Sequence, residues 1–77
     1  MRIQKAVVDA QLRVEIYRFT RYDREANKMV LSKRWGTKEK IREIYGVCIH
    51  DSRKFVDRSA VESDIMGLTE EGYVPPD

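Results

Sequence analysis

Alternation of apolar and polar positions is clearest in the stretch from Leu12 to Phe19. Leu12, Val14 and Ile16 fall on one side of a pleated chain, with Arg13, Glu15 and Tyr17 on the other, and a period of two predicts a β-strand. Its β-branched and aromatic residues suit a half-buried sheet. Phe19 joins Tyr17 on the second side, so both faces carry apolar weight. Tyr22 to Lys28 reads as a connecting turn: Asp23 can accept backbone N–H groups, and Asn27 tolerates a left-handed backbone. Met29, Leu31 and then Trp35 resume the period of two, which completes a predicted β-hairpin.

The period then changes. Thr37 is a natural N-cap, Glu39 suits the positive end of a helix dipole, and Ile41, Ile44 and Tyr45 form one stripe at i, i+3 and i+4. A short helix is predicted over 38–45, with Gly46 as its terminator. Val47 to His50 is a short strand, Asp51-Ser52-Arg53 a turn, and Lys54 to Val56 a further strand. Ser59 and Glu62 have capping-box spacing, and Val61, Ile65 and Leu68 follow at i, i+4 and i+7. A second short helix is therefore predicted over 60–66, ended by Gly67. Met1 to Ala10 fits either a helix or a strand, because Ile3, Val7 and Ala10 have helical spacing while Ala6-Val7-Val8 suits a strand.

The order is strand, strand, helix, one or two strands, helix. It describes a small single α+β domain over 1–77, with an N-terminal β-hairpin, helices on one face of an antiparallel sheet and an irregular C-terminal tail. The expected places of poor order are 1–10 and 69–77. There is no internal repeat and no low-complexity linker.

Composition narrows this picture. With 77 residues, 42% hydrophobic and 36% charged, the chain has enough apolar material to fold but only a thin core, hiding about 60–65% of its unfolded surface. Association with a partner or a second copy would add burial. Met1 to Leu12 is interrupted by Arg2, Lys5 and Asp9 and does not read as a signal peptide. No run approaches the roughly 20 apolar residues of a membrane span. A soluble, cytoplasmic protein with no membrane contact is expected.

Charge is unevenly divided. Residues 1–43 hold 12 Lys+Arg and 6 Asp+Glu, whereas 44–77 hold 3 and 7. The modest net charge of +2 hides a basic front and an acidic back, a pattern that points to interaction partners.

Reactive residue types are few. A lone cysteine, Cys48, precludes an internal disulfide. Cys48-Ile49-His50-Asp51 is the one cluster with nucleophile and base chemistry. Same-face neighbours on a strand stand about 6.6 Å apart at Cα with parallel side chains, so the expectation is a packing cysteine and a surface histidine. One Cys and one His are too few for structural zinc, and the acidic residues do not follow a calcium-loop spacing. Gly36, Gly46, Gly67 and Gly72 are isolated, so no phosphate-cradling loop is present. No catalytic residue, cofactor, metal or small-molecule ligand is expected.

The strongest functional signal is the basic hairpin and the helix after it. Arg18, Arg21, Lys33, Arg34, Lys38, Lys40 and Arg42, interleaved with Tyr22 and Trp35, form the candidate interaction surface. Cations with stacking aromatics suit nucleic acid. The same residues, together with Met29, also match the composition of protein interfaces. The pI of 8.8 is below the level that marks dedicated nucleic-acid binders. The expected function is therefore a non-enzymatic module that contacts a protein partner or a second copy of itself, with nucleic-acid binding as the alternative. On the second apolar face of the first strand, the competing expectation is that the N-terminal segment covers it within one chain.

Overall fold

A computed structural model describes residues 13–76. The readings for 1–10, for Leu12 and for cover by the N-terminal segment lie outside these residues. The fold is a three-stranded antiparallel sheet with one short helix, an α+β arrangement. Strand β1 spans Arg13–Asp23, β2 spans Lys28–Leu31, helix α1 spans Lys38–Glu43 and β3 spans Val47–Asp57. The sheet order is β2-β1-β3, so β1 is central and α1 carries the chain from one edge to the other.

The hairpin closes through Asp23 and Asn27 as expected, but its turn is shorter than 22–28. Tyr22 and Asp23 pair with Met29 and Lys28 in the strands, which leaves 24–27 as the turn. Asp23 Oδ1 accepts the N–H groups of Glu25 and Ala26, at 3.0 and 3.4 Å, and Asn27 takes the left-handed backbone with φ 55. Strand β2 is shorter than the period of two predicts. It ends at Leu31 because Ser32 Oγ accepts the N–H of Arg34, a local turn that competes with the ladder. Residues 33–35 swing out, and pairing with β1 resumes at Gly36, whose N–H and carbonyl both bond Tyr17. Trp35 is thereby removed from the strand alternation.

Helix α1 starts at its expected cap, with Thr37 Oγ1 accepting the N–H of Lys40. It ends earlier than 45. Ile44 is the C-cap, and Tyr45, with φ 61, makes the left-handed turn expected of Gly46. Gly46 has a different use. A Cβ at this position would lie 2.9 Å from Phe19 Cδ2 and 3.1 Å from Ile41 Cγ2, so the glycine lets the chain pass against the core.

β3 joins both predicted strand pieces through one irregularity. Between the pairs Ile16–Lys54 and Arg18–Ile49, β1 advances two residues and β3 five. Ser52 holds this bulge: its Oγ accepts the N–H of Arg18 at 2.7 Å and donates to the Ile49 carbonyl at 2.6 Å.

The helix predicted over 60–66 is not formed. A single 3-10 turn spans Arg58–Val61, and Glu62 lies at its C-terminal cap rather than inside a capping box. Two physical reasons are visible. Ser63 Oγ accepts the N–H of Ile65 and donates to the Leu68 carbonyl, which withdraws these groups from helical pairing. In addition, Val61 and Leu68, which a helix would place on one stripe, enter different cores.

Those two cores lie on opposite faces of β1. The odd-numbered face supplies Tyr17 and Phe19, packed with Ile41, Leu68 and Cys48. The even-numbered face supplies Val14 and Ile16, packed with Val56, Val61, Trp35 and Tyr73. The even-numbered face of the first strand is thus roofed, over its first half, by the 3-10 turn and the C-terminal stretch, while its second face, that of Tyr17 and Phe19, is covered by Ile41 of α1 and by Leu68. That stretch is pinned by backbone bonds from Thr37 N–H to the Gly67 carbonyl and from Thr69 N–H to the Trp35 carbonyl. Thr69 itself is fully buried, and its hydroxyl accepts the Trp35 N–H at 2.9 Å.

Candidate interaction surface

Among the described residues, the roof over the even face stops at Arg18. Beyond it, register determines which side chains share the open half: Arg18 stands opposite Ile49, Thr20 opposite both Leu31 and Val47, and Tyr22 opposite Met29. Directly paired residues project to the same side. The five large apolar side chains there remain substantially exposed: Tyr22 52%, Met29 45%, Leu31 47%, Val47 57% and Ile49 36%. They come from all three strands and are contiguous across the sheet. Such a patch is unlike the scattered single apolar residues of ordinary surfaces.

At the junction between the roofed and open halves lies a hollow of about 370 Å3 lined by Arg18, Lys33, Trp35, Gly72, Tyr73, Val74 and Pro75. The Arg18 guanidinium carbon is 5.6 Å from the Trp35 ring centroid, within cation–π range. Arg18 Nε is buried and has no hydrogen-bond partner among the described residues.

The other residues of the predicted basic surface do not gather here. Arg34 turns to the opposite side, where it donates to Asp64 Oδ1 at 3.1 Å and to the Thr69 carbonyl at 3.2 Å. This guanidinium holds the Asp64 carboxyl below the usual carboxylate range. Lys40 pairs with Glu43 one turn on, and its stem lies against Gly67. Arg21 borders a groove on the odd face with Phe19, Ile44 and Ile65, which Lys33, Arg34 and Glu71 also line. Lys38 Nζ lies 5.5 Å from the Tyr17 ring centroid, and Arg42 lines a hollow with Lys38, Tyr45, Cys48 and His50. The structure therefore brings together Arg18, Lys33 and Trp35 at one hollow, Arg21, Lys33 and Arg34 at a groove on the odd face and Lys38 and Arg42 at a third place, with Tyr22 on the apolar half that adjoins the first.

Cys48 and His50 approach more closely than strand geometry alone predicts, with Sγ 3.8 Å from Nδ1, and the His50 ring packs edge-on against Tyr17. Burial pushes the Cys48 thiol up despite the opposing pull of Lys38, which favours the protonated form rather than a thiolate nucleophile. The Tyr17 hydroxyl is pushed up chiefly by its hydrogen bond to Glu15, then by burial. Among the described residues, no three His, Cys, Asp or Glu side chains converge as a metal site, and no helix is long and apolar enough to cross a membrane.

The basic run in the sequence pointed to the hollow's cations but not to Val47, Ile49 or Tyr73. Val47 and Ile49 share one side of a strand of period two, a signal present in the sequence. Their exposure depends on pairing beside Thr20 and Arg18, which is a tertiary fact. Comparison of the chain with protein-family models, curated proteins and solved structures finds no match.

Proposed function

We propose that this chain is a non-enzymatic protein-interaction module that docks a protein partner on the open half of its sheet. The observation that carries the reading is the contiguous exposure of Tyr22, Met29, Leu31, Val47 and Ile49 on one face. A small domain with a thin core gains stability from covering such a surface. Taking a large apolar side chain fully from water contributes about 1.5–3 kcal/mol, and these side chains, already half-buried, contribute about half of that before the costs of association.

The test compares the parent with Leu31→Asp and Val47→Asp, two exposed positions where an acidic residue leaves both cores untouched. Light scattering after size exclusion reads self-association, and affinity selection with a displayed random-peptide library reads capture of a separate segment. The expected result is that a complex of either kind forms with the parent and is lost in both variants. No complex of either kind, or one that both variants retain, removes the reading.

Nucleic-acid binding is the second reading, favoured by Arg18, Lys33 and Trp35 lining one hollow. Its test is fluorescence anisotropy with labelled single-stranded DNA and RNA at two salt concentrations. Phosphate-driven binding weakens steeply with salt, so absent or salt-insensitive binding discards it.

A further inference from the structure

We infer that the hollow at Arg18, Lys33, Trp35 and Tyr73 is a carboxylate-binding subsite, which receives an Asp or Glu side chain of an apolar partner segment lying along the open half of the sheet. The inference rests on the protein-docking reading above and names the partner's chemistry.

Three observations converge. The first is the state of Arg18. Its Nε is shut off from water and has no acceptor among the described residues, and its guanidinium carbon lies over the Trp35 ring at cation–π distance. A buried donor without a partner is unfavourable, and among the described residues no carboxylate pairs with it. By contrast, the half-buried Arg34 on the other side of the molecule has its acidic partner in Asp64. The second is the company Arg18 keeps. Lys33, on the segment that swings out after β2, lines the same hollow, so two cations meet at one place with no acidic residue in the lining. The half-buried walls, Trp35, Tyr73 and Pro75, lower the local dielectric on their side and strengthen attraction for an anion. An arginine fork also matches the geometry of a carboxylate.

The third observation is position. Arg18 stands directly opposite Ile49, and Lys33 follows Leu31 by two residues. The cationic hollow is therefore continuous with the apolar half-face and caps one end of it. A segment lying across Leu31, Val47 and Ile49 presents its next side chain to the hollow. Apolar residues match the open strands, and a carboxylate matches the end. This commits the occupant to an acidic–apolar peptide segment of a partner protein. A phosphate backbone would call for a longer track of cations, whereas Arg21, Arg34, Lys40 and Arg42 lie elsewhere.

The experiment is selection with a displayed random-peptide library against the full chain, followed by titration of one recovered peptide and of its Glu→Gln or Asp→Asn counterpart. Trp35, the single tryptophan, reports occupancy by fluorescence. The expected outcome is recovery of peptides that carry an acidic residue beside apolar ones. Neutralising that residue, or making Arg18→Gln, should weaken binding by about ten- to a hundredfold, the range of a charge-assisted hydrogen bond. Arg18→Lys, which keeps the charge but not the fork, should fall between. Unfolding curves of both Arg18 variants separate lost binding from lost fold. Should Arg18→Gln fail to fold, Lys33→Gln with the neutralised peptide gives the same comparison.

Recovered peptides that bind through Leu31 and Val47 but are indifferent to Arg18 would overturn the subsite while leaving the docking face intact. Equal affinity for the neutralised peptide would do the same. Tighter binding of inorganic phosphate or a labelled oligonucleotide than of the acidic peptide would overturn the choice of ligand. Recovery of no peptide, or of peptides without acidic enrichment, would overturn the subsite outright.

Discussion

At the residue scale, two neighbours at the end of α1 divide the roles that one glycine would be expected to play. Tyr45 carries the left-handed turn at a cost in backbone energy, while Gly46 supplies the close approach to Phe19 and Ile41. Tyr45 is 91% exposed, so its side chain contributes little packing in return. Tyr45→Gly is expected to raise stability by roughly 1 kcal/mol, and Gly46→Ala to lower it by about 1–3 kcal/mol through overpacking. Urea midpoints check both, and a Gly46→Ala variant as stable as the parent would contradict the packing role. Cys48 gives a chemical prediction at the same scale. Because burial raises its thiol and Lys38 opposes that rise, the pH midpoint of its alkylation should lie above that of an ordinary thiol, and Lys38→Met should raise it further. A midpoint below the ordinary value would mean that the thiol is activated, reviving the nucleophilic reading of the Cys48–His50 contact.

At the element scale, what was legible in the sequence depended on how local the determining interaction is. The hairpin turn, the first strand and the start of α1 were legible because Asp23, Asn27 and Thr37 act within a few residues of themselves. The end of β2 and the helix predicted at 60–66 were not. In the first case Ser32 diverts the backbone, and in the second the demands of two cores split Val61 from Leu68. The candidate surface followed the same rule. Arg18, Lys33 and Trp35 were visible as a basic, aromatic run, but which cations they leave behind is decided by Asp64, Glu43 and the turn of β3. The segment after the 3-10 turn depends on Thr69, whose buried hydroxyl receives the Trp35 N–H and donates to the Glu70 carbonyl. Thr69→Val is close in shape but cannot replace these bonds, so it should cost about 1–3 kcal/mol. Thr69→Ser should recover most of that loss. Thermal or urea unfolding of the pair checks it, and equal effects of Val and Ser would place the cost in methyl packing instead.

At the scale of the whole molecule, charge and topology meet at the Arg34–Asp64 pair, which ties the turn after the 3-10 segment to the chain leaving β2. Because Asp64 titrates lower in the folded state, its contribution to stability is fully present above the ordinary carboxylate pKa. It is lost as pH falls through the lowered folded value. The stability difference between the parent and Asp64→Asn should accordingly be constant near neutrality and vanish on acidification. A difference that grows as pH falls would reverse the assignment. Asp64 is exposed, so added salt should shrink the same difference. The two-sided burial of β1 also bears on the order of events during synthesis. Leu68 completes the core on one face and Tyr73 the core on the other, and both lie far along the chain from the strand they cover. A nascent chain that has emerged only as far as β3 can pair its strands but can close neither core. Final packing must therefore wait until Tyr73 has left the ribosome, and until then the central strand presents apolar surface on both sides to whatever waits at the tunnel exit.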